Sequence, residues 1–251
     1  MSLYKIADFV IDFKNKYPRI EKMCADYKCD DALIPDFVIE VNEADLEAER
    51  AVSEYDFPNS YLESICAYRK LAVQLPLHNA LLLHGVVISC GGKGIAFVAR
   101  SGVGKTTHTM LWQKNFEGEM VIINGDKPII RFIDGVPFAY GTPWAGKEGI
   151  QVNDKVELTD ICFIERDENN STTLIEDKSE YFNLFMNQVL RPADPIAAMN
   201  TLELLDNLIS KCNFWSIKCN ISDEAAIIAH NAIFSLPLDG EGGPLAVDEV
   251  N

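Results

Sequence analysis

Two textures of apolar spacing divide this chain. Up to about residue 75, short apolar runs alternate with charged stretches: Phe9-Val10-Ile11, a helical pattern over residues 19–27, and Asp36-Phe37-Val38-Ile39-Glu40-Val41. These runs predict an α+β lead-in. From Leu81 the texture changes, and residues 81–90 are almost wholly apolar before Gly91-Gly92-Lys93-Gly94 and the second run Ile95-Ala96-Phe97-Val98. Two apolar strands joined by a glycine-rich tetrapeptide read as a hairpin. A helix is expected over Lys105–Asn115, then a strand at 120–123 and a second hairpin, 128–133 and 136–140, turned at Asp134-Gly135.

Further strands are expected at 159–165, 172–176 and 214–219, with a helical stretch over 177–190. Pro195 after Asp194 marks a helix start that carries apolar spacing through Met199, Leu202, Leu205 and Ile209, and Ser222 caps a last helix. The tail from Pro237 is rich in Gly, Pro and acid and reads as loose. Hairpins and helices mixed in this order predict an α/β fold on a mixed sheet rather than strict βαβ alternation. The expected organisation is a small α+β segment over 1–75, a catalytic domain over 76–236 and a flexible tail over 237–251.

Composition narrows the partners. A net charge of −16 over 251 residues repels nucleic acid phosphates and anionic membranes unless the basic residues gather on one face, so neither is an expected partner. The first residues carry no secretory pattern, and no apolar run approaches the roughly 18 residues that cross a bilayer. Seven scattered cysteines without paired CxxC spacing read as reduced thiols in a cytoplasmic protein. The acidic stretch 42–50 lacks ligand spacing and reads as a solvated face.

The candidate chemistry lies in Ala99-Arg100-Ser101-Gly102-Val103-Gly104-Lys105-Thr106, with Thr107 following. It fits the relaxed phosphate-loop pattern of Gly or Ala, four free residues, then Gly-Lys-Ser/Thr. Gly102 and Gly104 free the backbone to turn successive N–H groups inward, Lys105 places a cation on the β and γ phosphates, and the Thr106 hydroxyl can ligate magnesium. An apolar strand before the loop and a helix after it supply the context this mechanism requires. Arg100 and His108 read as surface or packing residues.

The loop follows the second strand of a hairpin whose first strand contains His84-Gly85. That arrangement resembles the catalytic domain of bacterial HPr kinase/phosphorylase and, more distantly, phosphoenolpyruvate carboxykinase. The resemblance rests on His84-Gly85, Ser101-Gly102-Val103-Gly104-Lys105-Thr106 and the strand Val121-Ile122-Ile123 running into Asn124-Gly125-Asp126-Lys127, where the family has paired aspartates and this chain has Asp126 alone. It covers residues 80–130 well and the rest weakly. It implies ATP as nucleotide, a homo-oligomer, and catalytic duties for His84, Lys105 and Asp126, with Thr106 and Asp126 as metal ligands.

Read on its own, His84 in an apolar strand is either a satisfied structural residue or a proton carrier near the ordinary imidazole range. Asp126, at a strand end beside the loop, suits metal or proton handling. Gly141-Thr142-Pro143-Trp144-Ala145-Gly146-Lys147-Glu148-Gly149 is similar to a block in uncharacterised relatives of HPr kinase. Lys147 and Glu148 either face a substrate or lie in a solvated loop, and Trp144 either stacks on a ligand or anchors the loop. Arg191 could pair with phosphate, while His78 and His230 read as structural. The expected function is a magnesium-dependent ATP kinase acting on a hydroxyl of a protein, peptide or small molecule. A slow nucleotide-hydrolysing switch and a carboxykinase-like enzyme acting on a small carboxylic acid are the alternatives.

Overall fold

The computed structural model describes residues 2–236, so the tail expected from Pro237 lies outside them. The chain opens with β1 (Leu3–Ile6) and β2 (Phe9–Lys14), an antiparallel pair turned at Ala7-Asp8, both with positive φ. The pattern over 19–27 resolves into α1 (Arg19–Met23) and a 3-10 turn at Ala25–Tyr27. Then β3 (Phe37–Glu40) pairs parallel to β2. The acidic stretch forms α2 (Glu43–Val52), started by reciprocal hydrogen bonds between Asn42 and Asp45. α3 (Asn59–Ala72) follows, burying Leu62, Cys66, Ala67 and Leu71 along one stripe. This layer shares its core with later residues: Ile11, Ile39 and Leu62 cluster with Ile129, Tyr140 and Trp144.

The apolar run 81–90, expected as one strand, is two. β4 (Ala80–Leu82) pairs with one part of the main sheet and β5 (Val86–Cys90) with another, so His84 lies in the break and not within a strand. The cause is steric and directional. A Cβ on Gly85 would meet the Phe97 carbonyl at 3.0 Å, and the N–H groups of Leu83, His84 and Gly85 donate to three different partners, Pro128, Gln188 and Asp126. The chain changes neighbours within three residues, which apolarity alone does not reveal.

β6 (Lys93–Val98) completes the expected hairpin with β5, and α4 (Lys105–Asn115) has the bounds that the sequence suggested. β7 (Met120–Asn124) follows. β8 (Ile129–Ile133) and β9 (Val136–Tyr140) turn at Asp134-Gly135, both at positive φ as a tight hairpin requires. β10 (Lys155–Arg166) runs longer than expected at its start, because its first residues pair with β9 before the rest enters the main sheet between β6 and β12. β11 (Ser171–Leu174) and α5 (Ser179–Met186) come next, the helix shorter than the 177–190 span. α6 (Pro195–Lys211) is capped by Asp194 as expected. β12 (Asn213–Cys219) and α7 (Asp223–Phe234) end the described chain, and the Ser222 side chain makes no capping bond.

The main sheet is mixed, with order β4-β8-β9-β10-β6-β5-β7 and with β12 and β11 joined through β10. β6, β10 and β12 run parallel. They are covered on both faces, which is why they read as unbroken apolar runs. Ile95 and Phe97 face Trp112, Ile164 and Ile233, while Ala96 and Val98 face Phe163, Phe185 and Leu205. Lys93, only 3% exposed, donates to the carbonyls of Ile233 and Leu236 at 3.2 Å and lies 4.0 Å from buried Asp160. α7 also leans on α4, through Lys114 with Asp223 at 2.6 Å and Phe116 stacked on His230 at 4.1 Å. Among the described residues no helix is long and apolar enough to cross a membrane.

Gly141 leaves β9 with no room for a side chain, since a Cβ there would lie 1.8 Å from the Val152 carbonyl oxygen. Gly141→Ala is expected to lower stability by about 3 kcal/mol through forced backbone shifts. Urea unfolding checks this; an unchanged midpoint would mean that the 141–154 crossing is not rigid.

Candidate active site

The loop between β6 and α4 is shaped by its glycines. Gly102 and Gly104 sit at φ +80 and +129, a region where a side chain is strained, and nothing lies within 4 Å of a Cβ on either. Gly104 precedes α4 without any side-chain cap, so the first N–H groups of the helix are left for a ligand. Lys105 Nζ donates to the Ala99 carbonyl at 2.8 Å, folding back across the loop it serves. From the end of β10, Arg166 Nε donates to the Val103 carbonyl at 2.7 Å and its Nη2 to that of Gly102. Val103 itself packs against the core.

His108 is a packing residue, as expected. It accepts from Trp112 Nε1 at 3.0 Å, and because an indole nitrogen only donates, Nε2 of His108 carries no proton. Burial pushes this imidazole down to about 4. His78 and His230 are likewise held among aromatic rings.

A second group of residues is organised by Asn124, fully buried at the end of β7. Its Oδ1 accepts from the N–H groups of Asp126 and Lys127 at 2.9 and 2.7 Å, while its amide donates to the Thr142 carbonyl at 3.0 Å. The turn therefore presents two side chains together, with Lys127 Nζ 3.1 Å from Asp126 Oδ1. His84 Nε2 reaches the same oxygen at 3.5 Å. Gly146 at φ +76 backs onto Asp126, where a Cβ would stand 3.2 Å from the Asp126 Cβ.

Burial, then the Lys127 and Lys105 cations, hold His84 down to about 4 against the pull of Asp126. Burial also lowers Lys105 and Lys127 below the ordinary ammonium range. Two ammonium groups and an imidazole are thus crowded in a half-buried setting where positive charge is disfavoured.

These parts line one open cleft of about 770 Å³. It brings together His84, Ser101, Gly102, Gly104, Lys105, Thr106, Thr107, Asp126, Lys147 and Glu148. Lys147 and Glu148 are exposed on its rim. Arg191 is exposed and is not among the lining residues. Trp144 is chiefly an anchor: 6% exposed, it donates to the Ser64 carbonyl at 3.0 Å and packs edge-on against Phe13 and Tyr68.

Sequence reasoning missed several contributors. Lys127 was in plain view beside Asp126. Arg166 ends an apolar run, but its reach to the loop depends on β10 lying parallel to β6. Asn124 reads as an ordinary strand-end residue. The opposite wall, Arg19, Met23, Tyr61, Ser64 and Tyr68, comes from the layer that carried no site signature.

Among the described residues no group of three or more His, Cys, Asp or Glu could hold a metal alone. The Thr106 hydroxyl makes no hydrogen bond, and together with the Asp126 carboxylate it presents oxygen ligands to the same cleft. Magnesium keeps several waters and takes further oxygens from phosphates, so this sparse set fits it.

No family model matches the chain, and no curated protein matches it. Among solved structures it is similar to the Hpr(Ser) kinase/phosphatase from Coxiella burnetii, with 10% identity and a TM-score of 0.36 over 61% of this chain and 97% of that one. That is a distant structural relationship.

Proposed function

We propose that this protein is a magnesium-dependent ATP phosphotransferase that moves the γ-phosphoryl group to a hydroxyl. The observation that carries the reading is the meeting of an uncapped glycine loop, Lys105 and the His84–Asp126–Lys127 group in one cleft. Phosphoryl transfer asks a protein mainly for positioning and charge neutralisation. The loop amides and Lys105 hold the phosphates, and Thr106 with Asp126 would hold magnesium, which neutralises phosphate charge when bound.

Asp126 is the proton acceptor for the attacking hydroxyl. His84, neutral near pH 7, orients that carboxylate instead of competing for the proton. Lys127, 3.1 Å from the carboxylate, holds it in place and adds positive charge beside the transferring group. All seven cysteines are free, which suits work in a reducing compartment.

The test is incubation with magnesium and γ-labelled ATP against a pool of peptides, proteins, amino acids, sugars and polyols. Label should enter one acceptor class, and Lys105→Ala should cut it by about 100-fold or more. Nucleotide bound with no acceptor labelled would favour a regulatory switch, and no nucleotide binding would sink the reading. Asp126→Asn is expected to slow transfer by about 10²- to 10⁴-fold in single-turnover labelling; a rate close to wild type would remove Asp126 from the proton path.

The two depressed histidines also predict a pH dependence. His84 and His108 stay neutral in the fold down to about 4, whereas the unfolded chain takes up protons below about 6.5. Their contribution is intact above that value, and stability falls as pH drops from about 6.5 toward about 4. Ring resonances of both histidines followed by NMR should not move until near the lower end. Titration near 6.5 would contradict the half-buried, cation-flanked setting of His84.

A further inference from the structure

The loop side of the cleft has its occupant in the phosphates, while the opposite wall, built by α1 and α3, holds a cation with no anion. Arg19 stacks its guanidinium 5.0 Å over the Tyr61 ring and, among the described residues, makes no ion pair or hydrogen bond through its side chain. Of the other cations lining the cleft, Lys105 is engaged on the Ala99 carbonyl, Lys127 on Asp126 and Arg166 on loop carbonyls, while Lys147 stands exposed on the rim. In a chain of net charge −16, the cleft is lined by five cations, Arg19, Lys105, Lys127, Lys147 and Arg166, against two carboxylates, Asp126 and Glu148. Such a concave basic site gathers anions.

The position of Arg19 is built, not incidental. Glu63 on α3, 1% exposed, accepts from the N–H groups of Lys16 and Tyr17 at 2.6 and 3.1 Å, which fixes the chain entering α1. The Trp144 bond to Ser64 fastens α3 to the loop beside Asp126. The wall is therefore held in register with the carboxylate across the cleft.

We propose that this wall recognises the phosphate acceptor, and that the acceptor is a small hydroxylated carboxylate whose carboxylate pairs with Arg19 while its hydroxyl meets Asp126. The inference rests on the phosphotransfer reading. A single unengaged guanidinium matches one negative charge, and a planar fork suits a carboxylate. A cleft of about 770 Å³ shared with a nucleotide leaves room for a small molecule. The acceptor oxygen forms a bond to the γ-phosphorus as the bond to the β–γ bridging oxygen breaks. That oxygen leaves with its electron pair on ADP, and the hydroxyl proton passes to Asp126 and on to water.

The test uses the full chain with magnesium and γ-labelled ATP, offering glycerate and L-serine beside their counterparts without a carboxylate, glycerol and serinol. Calorimetry of the same compounds with a non-hydrolysable ATP analogue present measures binding apart from turnover. Label should enter a carboxylate acceptor and not its counterpart. Arg19→Gln should raise the acceptor KM by about tenfold or more while the KM for ATP stays within about twofold, and Arg19→Lys should recover part of the loss. Equal labelling of both members of a pair overturns the proposal, as does an Arg19→Gln effect confined to ATP. If only a peptide or protein is labelled, or if nucleotide binds and no small carboxylate binds or is labelled, the proposal fails and the nucleotide reading stands. If nucleotide does not bind, both fall.

Discussion

The hydrogen bond from the Gly85 N–H to the Asp126 carbonyl, 3.0 Å long, ties together the two chain segments on which the site depends. On one side of it the chain passes from β4 to β5, next to the strand that leads into the glycine loop. On the other, β7 ends in the turn organised by Asn124. Because the bond joins backbone to backbone, the approach of the His84 and Asp126 side chains to 3.5 Å does not rest on their own interaction alone. Gly85 cannot be larger without striking the Phe97 carbonyl, so the close approach of the segments and the placement of His84 are one constraint.

Around that joint positive groups are gathered. Lys105 and Lys127 are drawn partly out of water, where an ammonium group is disfavoured, and each leans on a nearby oxygen. His84 resolves the crowding by staying neutral. Arg19, across the cleft, has the face of Tyr61 in place of a carboxylate. A chain of net charge −16 thus holds, among the described residues, a concave region where cations outnumber carboxylates.

What could be read from the chain was whatever is decided locally. The glycine loop, the bounds of α4, the Asp134-Gly135 hairpin and the Asp194 cap each depend on neighbours a few residues away, and each was legible. His84 was placed in a strand because residues 81–90 are uniformly apolar, yet two strands of different partners share that run. β10 was read short because its first residues pair with β9 and alternate, while its later ones are buried on both faces. Arg166 and Arg19 gave no signal, since their value comes from a parallel pairing and from a layer packed across the cleft. The fold class was open to pattern; the far half of the site was not.

The placing of α7 has a consequence for the order in which the molecule is made. α4, which follows the glycine loop, rests on the sheet on one side and on α7 on the other, through Asp223 and His230. Lys93, in the hairpin that leads to the loop, holds the carbonyls at the far end of that same helix. A growing chain that has emerged only through β12 already contains every residue of the loop but lacks the surface that steadies it. The segment synthesised last among the described residues is thus what makes the early motif rigid.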